Sequence, residues 1–421
     1  DAVILERGVP GGELLNTDLI EDYPGFASVK GHELARLMAE HAEKFGAKVR
    51  FATVDAVDLS KRPFRLTVDG EPVEAQTIII ASGARPRVPD IPGLETLDYL
   101  TSDTVWELRE APDHLLVVGA GPIGCELAQA LARLGTRVTL VTHADRVLPR
   151  EDPEVSAALA ATLVAHGMTV HTRYEPLAFR READGQRATF KTPDGQKELV
   201  FDRVLVAVGR HANVEDMGLE ALGIPLTAAG TVTVDAHLRT RIPTIFACGD
   251  VAGPYQFTHM ASHQAWYAAV NALFGQFRRF KADYRAMPAV TFTEPEVARV
   301  GLNEQEARAQ GIAHELTRYP LDELDRAIAE GETQGFVKVL TVPGQDRILG
   351  VTIVGSQAGE LLAEYVLAMQ QGLGLNKILG TIHPYPTLAE ANKYAAGAWK
   401  RAHAPERLLA WVRRYHNWRR G

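Results

Sequence analysis

The chain has 421 residues, 46% of them hydrophobic and 23% charged, with a net charge of −8. This is the make-up of a globular protein of roughly two to four domains, and its acidity argues against a general nucleic-acid surface. No apolar run approaches the ~18 residues that span a bilayer, no signal peptide is visible, and Cys125 and Cys248 alone make neither a disulfide scaffold nor a cysteine-rich metal site.

In chain order, Ala2, Val3, Ile4 and Leu5 predict a strand ending at Glu6. The sequence opens directly inside that strand, so a further N-terminal piece is expected. A loop through Gly11 and Gly12 follows, then a helix whose Leu34, Leu37, Met38 and His41 share one face. Residues 77–82 predict a buried strand running into a turn at Gly83. Leu115, Leu116, Val117 and Val118 predict another, and it meets Gly119, Gly121 and Gly124 at the G-x-G-x-x-G spacing. Leu127, Ala128, Ala130, Leu131 and Leu134 continue as a helix, and residues 137–141 return as a strand. This strand–turn–helix–strand order is a dinucleotide cradle: the first glycine permits the turn, the second admits a pyrophosphate, and the third lets the helix pack close.

Further strands are expected at residues 204–208, ending at Gly209, and at 244–248, ending at Gly249 and Asp250. The alternation predicts a parallel α/β architecture. Beyond Met287 the texture changes. Residues 335–340 and 348–354 predict an antiparallel pair turning at Pro343 and Gly344, followed by helices, which together read as a separate α+β domain. The tail, with Arg407, Leu408, Trp411, Arg413, Arg414, Tyr415, Trp418, Arg419 and Arg420, predicts a basic aromatic helix. It is expected to pack on its own domain in preference to resting on an anionic membrane surface.

Four motifs in order resemble the pyridine nucleotide–disulfide oxidoreductases, the family of glutathione reductase, dihydrolipoamide dehydrogenase and mercuric reductase. They are residues 79–86 (Ile-Ile-Ala-Ser-Gly-Ala-Arg-Pro), residues 119–126, residues 240–250 (through Ala-Cys-Gly-Asp) and residues 288–302. The opening, Gly11 and Gly12 through Leu14, Leu15, Asn16 and Thr17 to Asp22, Tyr23, Pro24, Gly25 and Phe26, is instead similar to low-molecular-weight thioredoxin reductases. The resemblance implies an α/β fold with two Rossmann-like nucleotide-binding domains, the FAD domain split and the NAD(P)H domain inserted, plus a C-terminal α+β dimerisation domain. The implied boundaries are 1–110 and 233–285 for FAD, 111–232 for NAD(P)H, 286–404 for dimerisation and 405–421 for the tail helix.

The same resemblance implies the roles of individual residues. Glu6 holds the FAD adenosine ribose, unless it is an ordinary solvated glutamate. Ser82 and Gly83 leave the first flavin segment. Gly119, Gly121, Pro122, Ile123 and Gly124 cradle the NAD(P)H phosphates, and Gly209 ends a neighbouring strand. Gly249 and Asp250 form the second flavin motif, with Asp250 on the ribityl chain. Met260 and Ala261 open a helix near the flavin pyrimidine. Thr142 stands where an NAD site wants an acid, and His143 and Arg150, near Arg146, are placed for a 2′-phosphate; NADPH is favoured, NADH being the alternative, with Asp145 counting against. Glu126 matches the glutamate beside the nicotinamide, while Tyr23 falls near the place of its usual lysine partner. Tyr385 replaces the histidine of the family's His-Pro-Thr-x-x-Glu motif, Glu390 is kept, and His383 is a nearby substitute unless it is a solvated or core histidine.

Two departures follow. The flavin's own Gly-rich loop is expected about twenty residues before Ala2. Leu14 and neighbouring leucines stand where the C-x-x-x-x-C pair follows the Gly-Gly turn in the disulfide reductases. The expected function is an FAD-dependent NAD(P)H oxidoreductase, a cytoplasmic homodimer without a metal. It passes hydride to flavin and on to an unknown acceptor: quinone, oxygen or an external disulfide. The alternatives are a truncated or hybrid non-catalytic nucleotide-binding dimer of the same fold, and a membrane-associated electron-transfer partner.

Overall fold

A computed structural model describes residues 2–9, 11–21, 23–182 and 185–420, without the side chains of Glu13 and Asn16. Asp22, part of the opening similar to thioredoxin reductases, lies outside the described residues, as do Asp1, Pro10 and Gly421. The chain forms two compact units, Asp1–Arg85 with Arg210–Ala282, and Pro86–Gly209 with Asp283–Gly421.

In the first unit, strand Val3–Glu6 pairs in parallel with Lys48–Phe51, and helix Gly31–Lys44 connects them. Ile78–Ile80 pairs in parallel with Ile245–Ala247. Among the described residues these are two separate parallel pairs, not one continuous sheet. The apolar side chains of the opening strand stay exposed, Ile4 at 54%. The buried strand expected over residues 77–82 is shorter and half-covered: it spans Ile78–Ile80, and Ile79 faces outward while Ile80 is buried. Three antiparallel strands, Val54–Asp58, Phe64–Val68 and Glu71–Ala75, complete this part. Residues 210–232, expected in the inserted domain, contribute Leu219, Ile224 and Val232 to the same core as Ile80, Ile245 and Ala247.

The second unit holds a four-stranded parallel sheet in the order Thr169–Thr172, Arg137–Thr142, His114–Val118, Arg203–Val206. Both faces are covered, so its strands read as continuous apolar runs, with Leu115, Leu116, Val117 and Leu205 fully buried. An antiparallel meander of Glu175–Glu182, Gly185–Thr192 and Gly195–Phe201 packs Phe179, Phe190 and Phe201 against Leu116 and Val118.

Residues beyond Met287 form a five-stranded antiparallel sheet, in the order Pro288–Thr291, Glu296–Gly301, Ile348–Gly355, Phe336–Thr341, Glu315–Pro320. The hairpin predicted at Pro343 and Gly344 is there, pairing Val339 with Val351. Helices Ala358–Gln370 and Glu390–Ala402 cover the sheet through Leu362, Tyr365, Ala395 and Trp399. Val297, Phe336 and Val354 also join the core of the parallel sheet, so the two sheets share one interior.

No described helix is long and apolar enough to cross a membrane. The tail is helical over Glu406–Arg420, but it buries no residue, which corrects the expectation that it packs on its own domain. Arg407 and Arg414 border its apolar stripe and Arg419 lies within it, and seating that stripe against the domain would draw charge out of water.

Candidate functional site

The turn after strand His114–Val118 has the geometry its glycines predict. Gly119 sits at φ +109°, and a Cβ there would lie 2.4 Å from the Ala207 carbonyl oxygen. A Cβ on Gly124 would lie 1.9 Å from the Gly119 oxygen, so the helix Pro122–Arg133 packs onto the turn with no room for a side chain. Gly121 differs: a Cβ there meets nothing within 4 Å and would project into open space. Gly121 is the N-cap, Pro122 is the exposed first helical residue, and no side chain caps the helix. The amides of Ile123 and Gly124 therefore remain available, beside open space and at the positive end of a helix dipole, which fits a dinucleotide pyrophosphate. Gly209 lies past the neighbouring strand and accepts from the Arg87 amide at 2.9 Å.

Residues 143–150 fold back over this turn. The Leu148 amide donates to the Ala120 carbonyl at 2.8 Å, with Leu148 itself held at φ +43°. Thr142 is buried, and its hydroxyl accepts from the Ala144 amide. His143 and Arg150 are exposed. Arg146, near them in sequence, is engaged: its guanidinium donates to Asp145, to the Pro149 carbonyl and to Gln305. Three partners that sequence reasoning missed fix this loop. Asn303 donates to the Arg150 carbonyl at 2.8 Å, Gln305 to the Pro149 carbonyl at 3.3 Å, and Asp152 accepts from the amides of Glu304 and Gln305. Asn303 also caps helix Glu304–Ala309, and that capping signature, Asn followed by Glu306, was the one local signal available.

Glu126 lies one turn into the nucleotide helix. Its carboxylate accepts from the Phe292 amide at 2.8 Å; burial pushes its pKa up, and that hydrogen bond only partly offsets it. One turn on, the Gln129 amide donates to the Glu294 carbonyl and accepts from the Glu294 amide, both at 2.7 Å. Cys125, the residue before Glu126, is buried, and burial pushes its thiol up to about 12. Burial likewise pushes Cys248 up to about 11. Neither is a thiolate near neutrality, the form in which cysteine acts as nucleophile.

In the first unit, Ser82 and Gly83 are bracketed by Asn213. The Ser82 hydroxyl donates to the Asn213 carbonyl at 2.7 Å, the Asn213 side chain donates to the Ser82 carbonyl at 2.8 Å, and its backbone amide donates to the Gly83 carbonyl at 3.0 Å. The Gly249 turn is pinned by fully buried Gln264, which accepts from the Gly249 amide and donates to the Gly253 carbonyl, both at 2.7 Å. Asp250 projects from this turn. Burial raises its pKa, opposed by Arg210, whose Nε lies 3.5 Å away. A partly desolvated carboxylate beside a cation suits the hydroxyls of a polyol chain. Met260 is buried in the first turn of helix Thr258–Phe274, and Ala261 lies under Gly249. Glu6 is exposed at its strand end, its carboxylate accepting from the Gly8 amide at 2.9 Å.

Residues 383–390 are not assembled as a single acid–base pair. Tyr385 is 68% exposed and its hydroxyl donates to Asp325 at 3.0 Å. Glu390 is buried and accepts from the Tyr394 hydroxyl at 3.3 Å and the Thr387 amide at 3.4 Å. His383 has both ring nitrogens engaged, one with the Thr381 carbonyl at 3.1 Å and one with Glu364 at 3.1 Å, and its side chain is 5% exposed. No grouping of His, Cys, Asp and Glu among the described residues is suited to hold a metal ion.

Comparison with known proteins agrees with this geometry. The sequence pattern of pyridine nucleotide-disulphide oxidoreductases matches residues 2–265, and that of the family's dimerisation domain matches residues 287–396. A mercuric reductase of Streptomyces lividans is 38% identical over 380 residues, covering 89% of this chain and 80% of that protein. A dihydrolipoyl dehydrogenase of Thermus scotoductus is 37% identical over 347 residues, covering 80% of this chain and 73% of that protein. The crystal structure of LpdA from Mycobacterium tuberculosis superposes with a TM-score of 0.78 at 27% identity, covering 87% of this chain and 80% of that one. With its mixed α/β fold, its nucleotide turn and its antiparallel C-terminal domain, the chain belongs to the pyridine nucleotide-disulphide oxidoreductases, a family of flavin-dependent oxidoreductases.

Proposed function

We propose that this protein oxidises NADPH through a bound FAD and delivers the electrons to an acceptor other than its own cysteines, as a homodimer built on residues 286–404. A bound FAD would supply the redox chemistry that takes hydride from the reduced nicotinamide and hands electrons on. The observation that carries the reading is that each unit offers one such turn: open space at Gly121 before an uncapped helix in one, and a partly desolvated Asp250 beside the Gln264-pinned Gly249 turn in the other.

The residues divide the work as follows. Gly119 and Gly124 shape the first turn, while Gly121, Pro122 and Ile123 present it to the pyrophosphate. His143 and Arg150 meet the 2′-phosphate, since buried Thr142 offers no carboxylate to a 2′-hydroxyl. Glu126 borders the nicotinamide. Asp250 takes the ribityl hydroxyls, Glu6 the adenosine ribose, and Ser82, Gly83, Met260 and Ala261 line the flavin. Gly209 leaves the approach to the nicotinamide turn clear. Exposed Tyr385 faces the acceptor, and Glu390 and His383 are the further acid–base groups of this segment.

Rapid mixing of FAD-reconstituted protein with NADPH tests this. Bleaching of the visible flavin band within a second is expected, because enzymes of this kind turn over near ~10 per second. A band that persists for minutes would overturn the reading.

A further inference from the structure

Helix Glu406–Arg420 lies beyond both segments that match the family, 2–265 and 287–396, so no part of the shared chemistry accounts for it. It carries five arginines and one glutamate in fifteen residues, a local charge of +4 (5 − 1) in a chain whose net charge is −8. It also carries two of the chain's five tryptophans.

These residues are sorted around the helix. At roughly 100° per residue, Leu408, Trp411, Val412, Tyr415 and Trp418 form one stripe, roughly 120° wide. Trp411 and Tyr415 stack at 5.9 Å and 12°, and Tyr415 meets Trp418 at 6.2 Å, so the rings make a continuous aromatic ridge. The ridge is bare: Trp411 is 62% and Trp418 77% exposed. Arg407 and Arg414 run along one edge, Arg419 sits within the stripe at its C-terminal end, and Arg413 and Arg420 lie roughly 80–100° past Val412, beyond His416 and Leu409.

We propose that this helix lays its aromatic ridge into the headgroup layer of an anionic phospholipid bilayer, with the bordering arginines on lipid phosphates. Two features select this occupant. Tryptophan and tyrosine have an apolar body and a polar edge, which suits the boundary between headgroups and acyl chains, and arginines reach outward from such a stripe to the phosphates. A second copy of the same helix on this face would bring ten arginines together, whereas an anionic surface neutralises them. The fifteen-residue helix is too short to span, so it lies in the plane of the surface.

The test is co-sedimentation of the full chain with vesicles of phosphatidylcholine alone or with about one-third phosphatidylserine, followed also by tryptophan fluorescence. Binding to the anionic vesicles is expected to exceed binding to neutral ones by at least about ten-fold and to fall with added salt, since each arginine near such a surface contributes about five-fold. The Arg407→Glu/Arg414→Glu variant should lose at least about twenty-fold of that binding, and Trp411→Ser/Trp418→Ser should abolish the blue shift of the emission, both with unchanged thermal unfolding. Equal binding to both vesicle types, no binding to either, or full binding by the arginine variant overturns the proposal. So does a Trp411→Ser/Trp418→Ser variant that sediments as a smaller assembly than the parent without lipid, since the ridge would then be covered by protein.

Discussion

The ammonium of Lys338 lies 2.8 Å from the carboxylate of Asp152, and both side chains are sealed from solvent. Glu304 at 2.6 Å and Glu154 complete the surroundings of this lysine. Asp152 meanwhile opens helix Pro153–Ala165 and accepts the amides of Glu304 and Gln305, so one buried charge cluster joins the parallel sheet's surroundings to the antiparallel sheet.

Lys338→Met is therefore expected to destabilise this unit by about 3–5 kcal/mol, because it strands a buried carboxylate that no water can reach. Urea unfolding followed by circular dichroism measures it. A loss below about 1 kcal/mol would show that the cluster is not coupled as its geometry requires.

The same cluster sets a pH window. Burial acts to raise the Asp152 carboxyl, but Lys338 and the two amides overcome it and leave it below its ordinary value. A depressed carboxyl contributes stability above its unfolded pKa of about 3.9 and loses it as pH falls through the lower folded value. Burial acts to lower Lys338, but its carboxylate partners overcome it and leave it above its ordinary value. That contribution is complete below about 10.4 and drains as pH rises through the higher folded value. Thermal unfolding across pH should show both flanks, and Lys338→Met should flatten the alkaline one.

The two kinds of glycine in the nucleotide turn separate folding from binding. Gly124→Ala forces a methyl against the Gly119 carbonyl and should cost stability by more than about 2 kcal/mol. Gly121→Val fills open space, so thermal unfolding should hold while NADPH affinity falls at least about ten-fold, from the steric block at the pyrophosphate. Titration calorimetry beside calorimetric melting distinguishes them.

Nucleotide choice should follow Arg150. Arg150→Ala removes a guanidinium from an exposed position whose backbone remains held by Asn303, so the loop is expected to keep its shape. KM for NADPH should rise about ten-fold with little change for NADH, the value of one charge-assisted hydrogen bond. Equal rises for both nucleotides would place the 2′-phosphate elsewhere.

Gln129→Leu deletes both hydrogen bonds from this buried side chain to Glu294 and leaves the Glu294 amide and carbonyl without that partner. A destabilisation of about 1–3 kcal/mol is expected in chemical denaturation.

How much of this was legible in the sequence tracks the distance between partners. The cradle at Gly119, Gly121 and Gly124 is local backbone geometry, and it reads directly from spacing, as does the hairpin at Pro343 and Gly344. Gln129 and Lys338 were silent, since their partners lie 165 and 184 residues away and nothing in a glutamine or a lysine announces burial, and Asn303 announced its helix cap but not its bond to Arg150, 153 residues away. His383 was legible as a titratable group near a motif, but its bond to Glu364 depends on where helix Ala358–Gln370 packs. The tail's amphipathic pattern was plain, yet pattern alone did not say that nothing in the chain would cover it.

The stitching of Glu126 to Phe292, Gln129 to Glu294 and Asn303 to Arg150 bears on recombination between relatives. A nucleotide-binding segment exchanged alone, with crossovers near residues 86 and 209, would arrive without its seam. Functional chimeras are expected to inherit residues 292–305 and Lys338 from the same parent as residues 119–154, making this discontinuous block the effective unit of inheritance.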